Sequence, residues 1–213
     1  MENNVNSSKV YTLYYAFFLI PLMITIFGVM FFFMFKVLTY ETSAPEDYLT
    51  DIHIGSATKR WQAAFELSKL LSNPEMVPTD EGFKNKMISI YEHSIHDNPM
   101  VRTYMALAMG RTGQQEYGPT LMNGMNDKDK GSRLAAIKAL GLLAYAPAVK
   151  GIQKFTAEKY SNAERLAATI ALGNMGDKSL IPILQKLLDD EEPNIRWDAA
   201  IALAKLEDSS GLQ

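Results

Sequence analysis

RWQAAFELSKLL at residues 60–71 and RWDAAIALAKLE at residues 196–207 are nearly the same sequence, 136 positions apart. Aligning the chain on their arginine fills the gap between them. Arg60, Arg102, Arg133, Arg165 and Arg196 form a series whose last four intervals are nearly even, after a first one that is about ten positions longer. Three positions after each stands Ala63, Met105, Ala136, Ala168 or Ala199, and seven after, Leu67, Met109, Leu140, Leu172 or Leu203. The eighth position is always small (Ser68, Gly110, Gly141, Gly173, Ala204), and the tenth is Leu70, Thr112, Leu143, Met175 or Leu206. Offsets of 3, 7 and 10 share one face of a helix with 3.6 residues per turn, so each register predicts a helix with one apolar side. The small residue beside that side lets a neighbouring helix come close.

A second helical pattern fills the spaces between, as in PTDEGFKNKMISIYEHSI and KSLIPILQKLLDD, and HDNPM, RTGQQ, NMGDKS and DEEPN break the pieces apart. Thr79 or Asp80 is a suitable N-cap for the first of these helices. Each unit is therefore an antiparallel helix pair of about 31 residues that must stack on its neighbours to bury its apolar face. The longer first interval, from Arg60 to Arg102, places an insertion around NPEMVPTDEGF, and SAPED before DYLTDIHIG reads as a helix start capped at Ser43.

The amino-terminal end is of another kind. Residues 1–40 hold only Glu2, Lys9 and Lys36 as charges, and the run from Val10 to Phe35 contains none. As a helix that run measures about 39 Å, more than the roughly 30 Å of a bilayer's hydrocarbon core. Tyr11, Tyr14, Tyr15 and Tyr40 sit near its edges, where aromatic rings favour the interface, and Lys9 and Lys36 bracket it. Pro21 is tolerated in such a helix. The run is too long for a signal peptide, and FKVLTYE offers no small-residue cleavage site. The flanking charges nearly balance; the expected arrangement is a single pass, in a bacterial inner membrane, with the C-terminal domain cytoplasmic.

From position 41 onwards acidic residues outnumber Lys and Arg by four, a balance unfavourable to non-specific nucleic-acid binding. There is no cysteine, hence no disulfide, thiol nucleophile or thiolate metal site. His93 and His96 lie three apart with Glu92 and Asp97 nearby, but His53 is a whole unit away, so no metal site is expected. Nucleophile, phosphate-loop and zinc-protease patterns do not occur, and no catalytic residue, cofactor or small-molecule substrate is assigned.

ERLAATIALGNMGD, SRLAAIKALGLLAY and IRWDAAIALAKLED resemble the second helix of HEAT repeats, particularly the short HEAT-like repeats of phycobilisome lyases. Pro182, Pro119 and, more loosely, Pro147 match the proline that this family often carries at its first helix. The resemblance implies an α-solenoid of about five HEAT-like helix pairs, and with the apolar run ahead of it the expected fold is all-α, one N-terminal transmembrane helix followed by that solenoid. The expected division is a tail at 1–9, the spanning helix at 10–38, a linker at 39–44, the repeat domain at 45–208 and a tail at 209–213. The resemblance also implies that the second helices line the concave, binding face. It makes the arginines a structural ladder, each paired with an acid in the turn before it: Asp97 with Arg102, Asp129 with Arg133, and Asp189 or Asp190 with Arg196. Trp61 and Trp197, one after the first and last arginines, are candidate partner-binding residues because tryptophan is enriched at binding hot spots. The expected function is a membrane-anchored, non-enzymatic scaffold for a protein partner in a membrane complex. The alternative is a lyase-like or chaperone-type protein handling a chromophore or client.

Overall fold

The computed structural model describes residues 11–38 and 44–212, in two compact units that divide between Ser43 and Ala44. Lys9, Tyr40 and Ser43, cited above for their interface and capping chemistry, lie outside the described residues.

The first unit is one helix, α1 (Tyr11–Leu38), with a mean hydropathy of 2.5 over its most apolar window. At 28 residues it is long and apolar enough to cross a membrane. Its backbone absorbs Pro21 by a local change of winding. Residues Tyr15–Leu19 form a π-turn, and the Ile20 N–H reaches back five positions to the Tyr15 carbonyl. In regular α-winding the proline ring would press on the carbonyl four positions earlier. The wider turn just before it is a recognised way to relieve such crowding.

The second unit contains no strand among its described residues. Its helices pair off in sequence: α2 (Pro45–Ile54) with α3 (Ala57–Leu70), α4 (Glu81–His93) with α5 (Pro99–Arg111), and α6 (Gly118–Gly124) with α7 (Lys130–Leu142). The last two pairs are α8 (Val149–Gln153) with α9 (Asn162–Asn174) and α10 (Ile181–Lys186) with α11 (Pro193–Lys205). Asp80 caps α4, its Oδ1 accepting from the Phe83 N–H at 2.8 Å. Ahead of α2, with Pro45 in its first turn, the Asp47 carboxylate reaches back to the Ala44 N–H at 2.9 Å. The first helices of the last three pairs are short, flanked on both sides by 3-10 or single turns, with Pro119 and Pro182 in their opening turns. The insertion after α3 is a 3-10 turn at Pro74–Met76 and an extended run, held where Gln114 Nε2 donates to the Pro78 carbonyl at 2.8 Å.

The core lies between the two layers. All five residues at the seventh position after the arginines are fully buried, and those at the third nearly so. A buried leucine contributes about 1.5–3 kcal/mol relative to its exposed state. The second helices stack directly on one another, because the small eighth position receives an alanine from the next helix. A Cβ added at Gly141 would lie 2.6 Å from Ala171 Cα, one at Gly110 2.6 Å from Ala139 Cα, and one at Gly173 2.5 Å from Ala202 Cβ. The first helices, short in the later pairs, touch one another much less than the second helices do. Each of the last four second helices ends in the same way. Gly113, Ala144, Gly176 and Glu207, eleven positions after their arginines, all have positive φ. At two of these ends the N–H after the left-handed residue returns to the helix, Tyr145 N–H to the Leu140 carbonyl at 3.1 Å and Asp208 N–H to the Leu203 carbonyl at 3.0 Å. Beyond α11, Ser209–Leu212 form a 3-10 turn against that helix.

Candidate functional site: the second-helix face

The arginines connect repeats, and their acidic partners are not those expected. Arg60 pairs with Asp97, Arg102 Nη1 with Asp127 Oδ2 at 2.6 Å, Arg133 Nε with Glu164 Oε1 at 2.7 Å, and Arg165 with Asp190. Each carboxylate therefore belongs to the following repeat, whereas the family pattern implied the turn before the arginine's own helix. The segment before that helix supplies carbonyls instead. Arg60 Nε donates to the Ile52 carbonyl at 2.7 Å, Arg133 Nη1 to Asp127 at 2.6 Å, and Arg196 Nη1 to Asp190 at 2.8 Å. Asp129 caps its own helix, accepting from the Ser132 N–H at 2.8 Å.

The pairs are well shielded, the Arg133 and Glu164 side chains being only 17% and 4% exposed. Burial opposes ionisation of Glu164, but hydrogen bonds from Ser161 and Arg133 prevail and hold its carboxyl below the usual carboxylate range. Tyr91 lies under the guanidinium of Arg102, 5.4 Å from ring centroid to Cζ, and burial pushes its phenol up. These contacts fasten one repeat to the next.

The outward side of the second-helix row is different. Offsets of 1, 5 and 9 from the arginines share this side. The fifth position holds Phe65, Leu107, Lys138, Ile170 and Ile201, with Phe65 and Ile170 each more than a third exposed. Phe65 meets Tyr104 edge to face at 5.1 Å between centroids. Trp61 and Trp197 occupy the first position at the two ends of the same side. Trp61 is half-buried against the core, whereas Trp197 is 71% exposed. Lys69, Arg111, Leu142, Asn174 and Lys205 fill the ninth position. The result is an interrupted apolar stripe with basic residues along its border. The tryptophans were visible in the sequence by type. The rest of the stripe had a signal too, an apolar residue at the fifth position of four units in five.

Two of the concavities among the described residues open beside ladder arginines, Arg102 and Arg196. One, of about 470 Å³, is lined by Ile95, His96, Arg102, Asn123, Asp127 and Asp129. The other, of about 630 Å³, lies at the end of the stack between Leu188, Pro193, Arg196, Trp197 and Ser210. His93 closes α4, with Nδ1 2.7 Å from the Ser89 carbonyl oxygen, and His96 lies in the 3-10 turn beyond it, so the two are not on one helix. Among the described residues no three His, Asp or Glu side chains converge as a metal would need.

A family model for HEAT repeats matches residues 149–213, the last two helix pairs. This segment is similar to HEAT repeats. The arginine register and the Gly–Ala contacts carry the same HEAT-like architecture back to α5, and the arginine register continues to α3. Deoxyhypusine hydroxylase of Schizosaccharomyces pombe is 31% identical over 101 residues, 46% of this chain but 29% of that protein. The chain thus spans less than a third of that relative's length. Among solved structures, the complex of CpcE and CpcF of phycocyanin lyase from a Nostoc species superposes with a TM-score of 0.60 at 22% identity, covering 79% of this chain and 66% of that one. A designed armadillo repeat protein in complex with a (KR)4 peptide superposes with a TM-score of 0.53 at 17% identity, covering 80% and 89%. At these identities the likeness is one of fold: a HEAT- or armadillo-like helical stack.

Proposed function

We propose that this protein is a membrane-anchored HEAT-repeat scaffold that holds a protein partner on the outward side of its second-helix row, as an accessory subunit of a membrane complex. The observation that carries the reading is the stripe through Phe65, Leu107, Ile170 and Ile201, left open with Trp197 at its end. Apolar side chains in repeated register on one open side suit an extended partner, with aromatic residues as its anchors. The function is non-enzymatic: the residues along this side are mostly apolar or basic, and the carboxylates at the repeat junctions are engaged in the ladder. The apolar helix α1 supplies the anchor, a single pass through a bacterial inner membrane with the repeat domain in the cytoplasm. Confinement to the membrane raises the effective concentration around the partner, so that modest affinity suffices.

A lyase-like or chaperone role has the phycocyanin-lyase neighbour in its favour, through the fold alone. Such a role requires an enclosing pocket with convergent polar groups, and both concavities here are open. The deciding experiment is affinity purification of the full chain from detergent-solubilised membranes, followed by mass spectrometry. A stoichiometric membrane complex is expected. Recovery of the chain alone, or of a bound chromophore, would overturn the reading.

A further inference from the structure

The apolar stripe is interrupted in its middle by one cation. Lys138 is exposed and holds the fifth position of α7, where the other repeats carry Phe65, Leu107, Ile170 and Ile201. Leu134 and Leu142 stand four positions before and after it, on the same side of the helix. Leu107 and Ile170 hold the matching position on α5 and α9, which pack against α7 from either side. Apolar residues thus border this lysine in all four directions along the face.

These helices bring no acid to it. The stretches 103–111, 134–142 and 166–174, offsets 1 to 9 of α5, α7 and α9, contain no Asp or Glu, and their charged residues are Arg111 and Lys138 alone. Arg111 is engaged, with Nη1 donating to the Ser68 carbonyl at 2.6 Å. Towards the ends of the stripe Lys69 pairs with Glu66 at 3.0 Å, and Lys205 Nζ donates to Asn174 Oδ1 at 2.7 Å. Among the described residues the Lys138 ammonium has neither an ion pair nor a hydrogen bond.

A charge covered without a counter-charge costs several kcal/mol, more than one added leucine-sized contact returns. Lysine often escapes by carrying its ammonium to the rim of a contact, but here the way out crosses apolar side chains. We infer that the stripe takes a segment of another polypeptide that sets an Asp or Glu against Lys138 and apolar side chains on Leu107 and Ile170. Packed helices lie about 8–10 Å apart, so the apolar contacts fall about that far to either side of the carboxylate. Lys138 then fixes the register of the partner. A slide by one helix would put an apolar side chain on the ammonium and the carboxylate on leucine or isoleucine. The inference rests on the scaffold reading and names the partner's chemistry.

The test uses the full chain in its native membrane, with a photo-crosslinking residue at Leu134, at Leu142 or, near one end of the stripe, at Phe65. The expected product from 134 and 142 is a crosslink to another polypeptide, in a segment with an acid between apolar residues. Lys138→Leu makes the stripe continuous, yet it lowers the yield about tenfold, as Lys138→Glu does, whereas Lys138→Arg keeps it within about twofold. Changing the partner's acid to lysine restores the yield with Lys138→Glu. The site is exposed and all four residue types suit a helix, so the variants keep the parent's melting temperature within a few degrees. A crosslinked segment without an acid, or a yield that Lys138→Leu leaves unchanged or raises, overturns the inference and leaves the scaffold intact. Crosslinks to another polypeptide from 65 with none from 134 or 142 do the same. Crosslinks only to lipid or to another copy of this chain, or none at any position, remove both.

Discussion

Arg133 joins three segments through one side chain, donating to the Asp127 carbonyl behind it and to Glu164 in the repeat ahead. Removing one member of a shielded pair strands the other, at a cost of about 3 kcal/mol or more for fully buried pairs. Arg133→Ala should accordingly lower stability by about 2–3 kcal/mol, since some exposure remains. The readout is the midpoint of urea unfolding at unchanged slope. An unchanged midpoint would show that the ladder is dispensable. Glu164 also gives the ladder a pH dependence. Its folded pKa lies below the ordinary 4.5, so the folded state binds fewer protons than the unfolded state in that range. Its contribution is therefore complete above about pH 4.5 and is lost as pH falls through the lower folded value. Glu164→Gln should be less stable than the parent at pH 7 and should lose less stability between pH 5 and pH 3, as melting temperatures across that range would reveal.

The second helices contain a pair of sites where the same two residue types have opposite effects. Gly141 lies against the backbone of the next helix, and an added Cβ would meet Ala171 Cα at 2.6 Å. Alanine's advantage in helix propensity is about 1 kcal/mol, whereas overpacking costs about 1–3 kcal/mol. The backbone contact cannot rotate away, so Gly141→Ala should be net destabilising, and Ala171→Gly should partly rescue it in a double-mutant cycle. Three positions later Ala144 has φ 48° at the helix end, where the equivalent positions in two other repeats are Gly113 and Gly176. Ala144→Gly should stabilise by about 0.5–1 kcal/mol. Thermal melts of the two variants moving in the same direction would contradict the assignment of close contact to one and left-handed strain to the other.

At the scale of the whole molecule, the two units bury their apolar surface by separate means. The repeat domain has a continuous core from Leu49 to Leu206, while no residue of α1 is buried within the protein. A fragment comprising residues 44–213 should fold alone with a helical circular-dichroism spectrum and remain in the supernatant after membranes are sedimented. The full chain should stay in the membrane pellet after alkaline carbonate washing. A full chain released by carbonate would remove the anchor from the proposal.

The register of five, the inward faces at offsets 3, 7 and 10, and the long apolar helix were all determined by the sequence, because helical periodicity and hydropathy are local. Even the stripe was legible in principle, since the fifth position keeps its apolar character in most units. The partners of the ladder were not. An arginine has acids within reach in the turns on both sides, and sequence distance favours the nearer one. Stacking decided in favour of the other, because these guanidiniums lie on the side of each helix that faces the next repeat, where Asp97, Asp127, Glu164 and Asp190 arrive. The unequal exposure of Trp61 and Trp197 has the same origin. Identical local settings are buried or bare according to what stands beside them, and that is known only after the helices have packed.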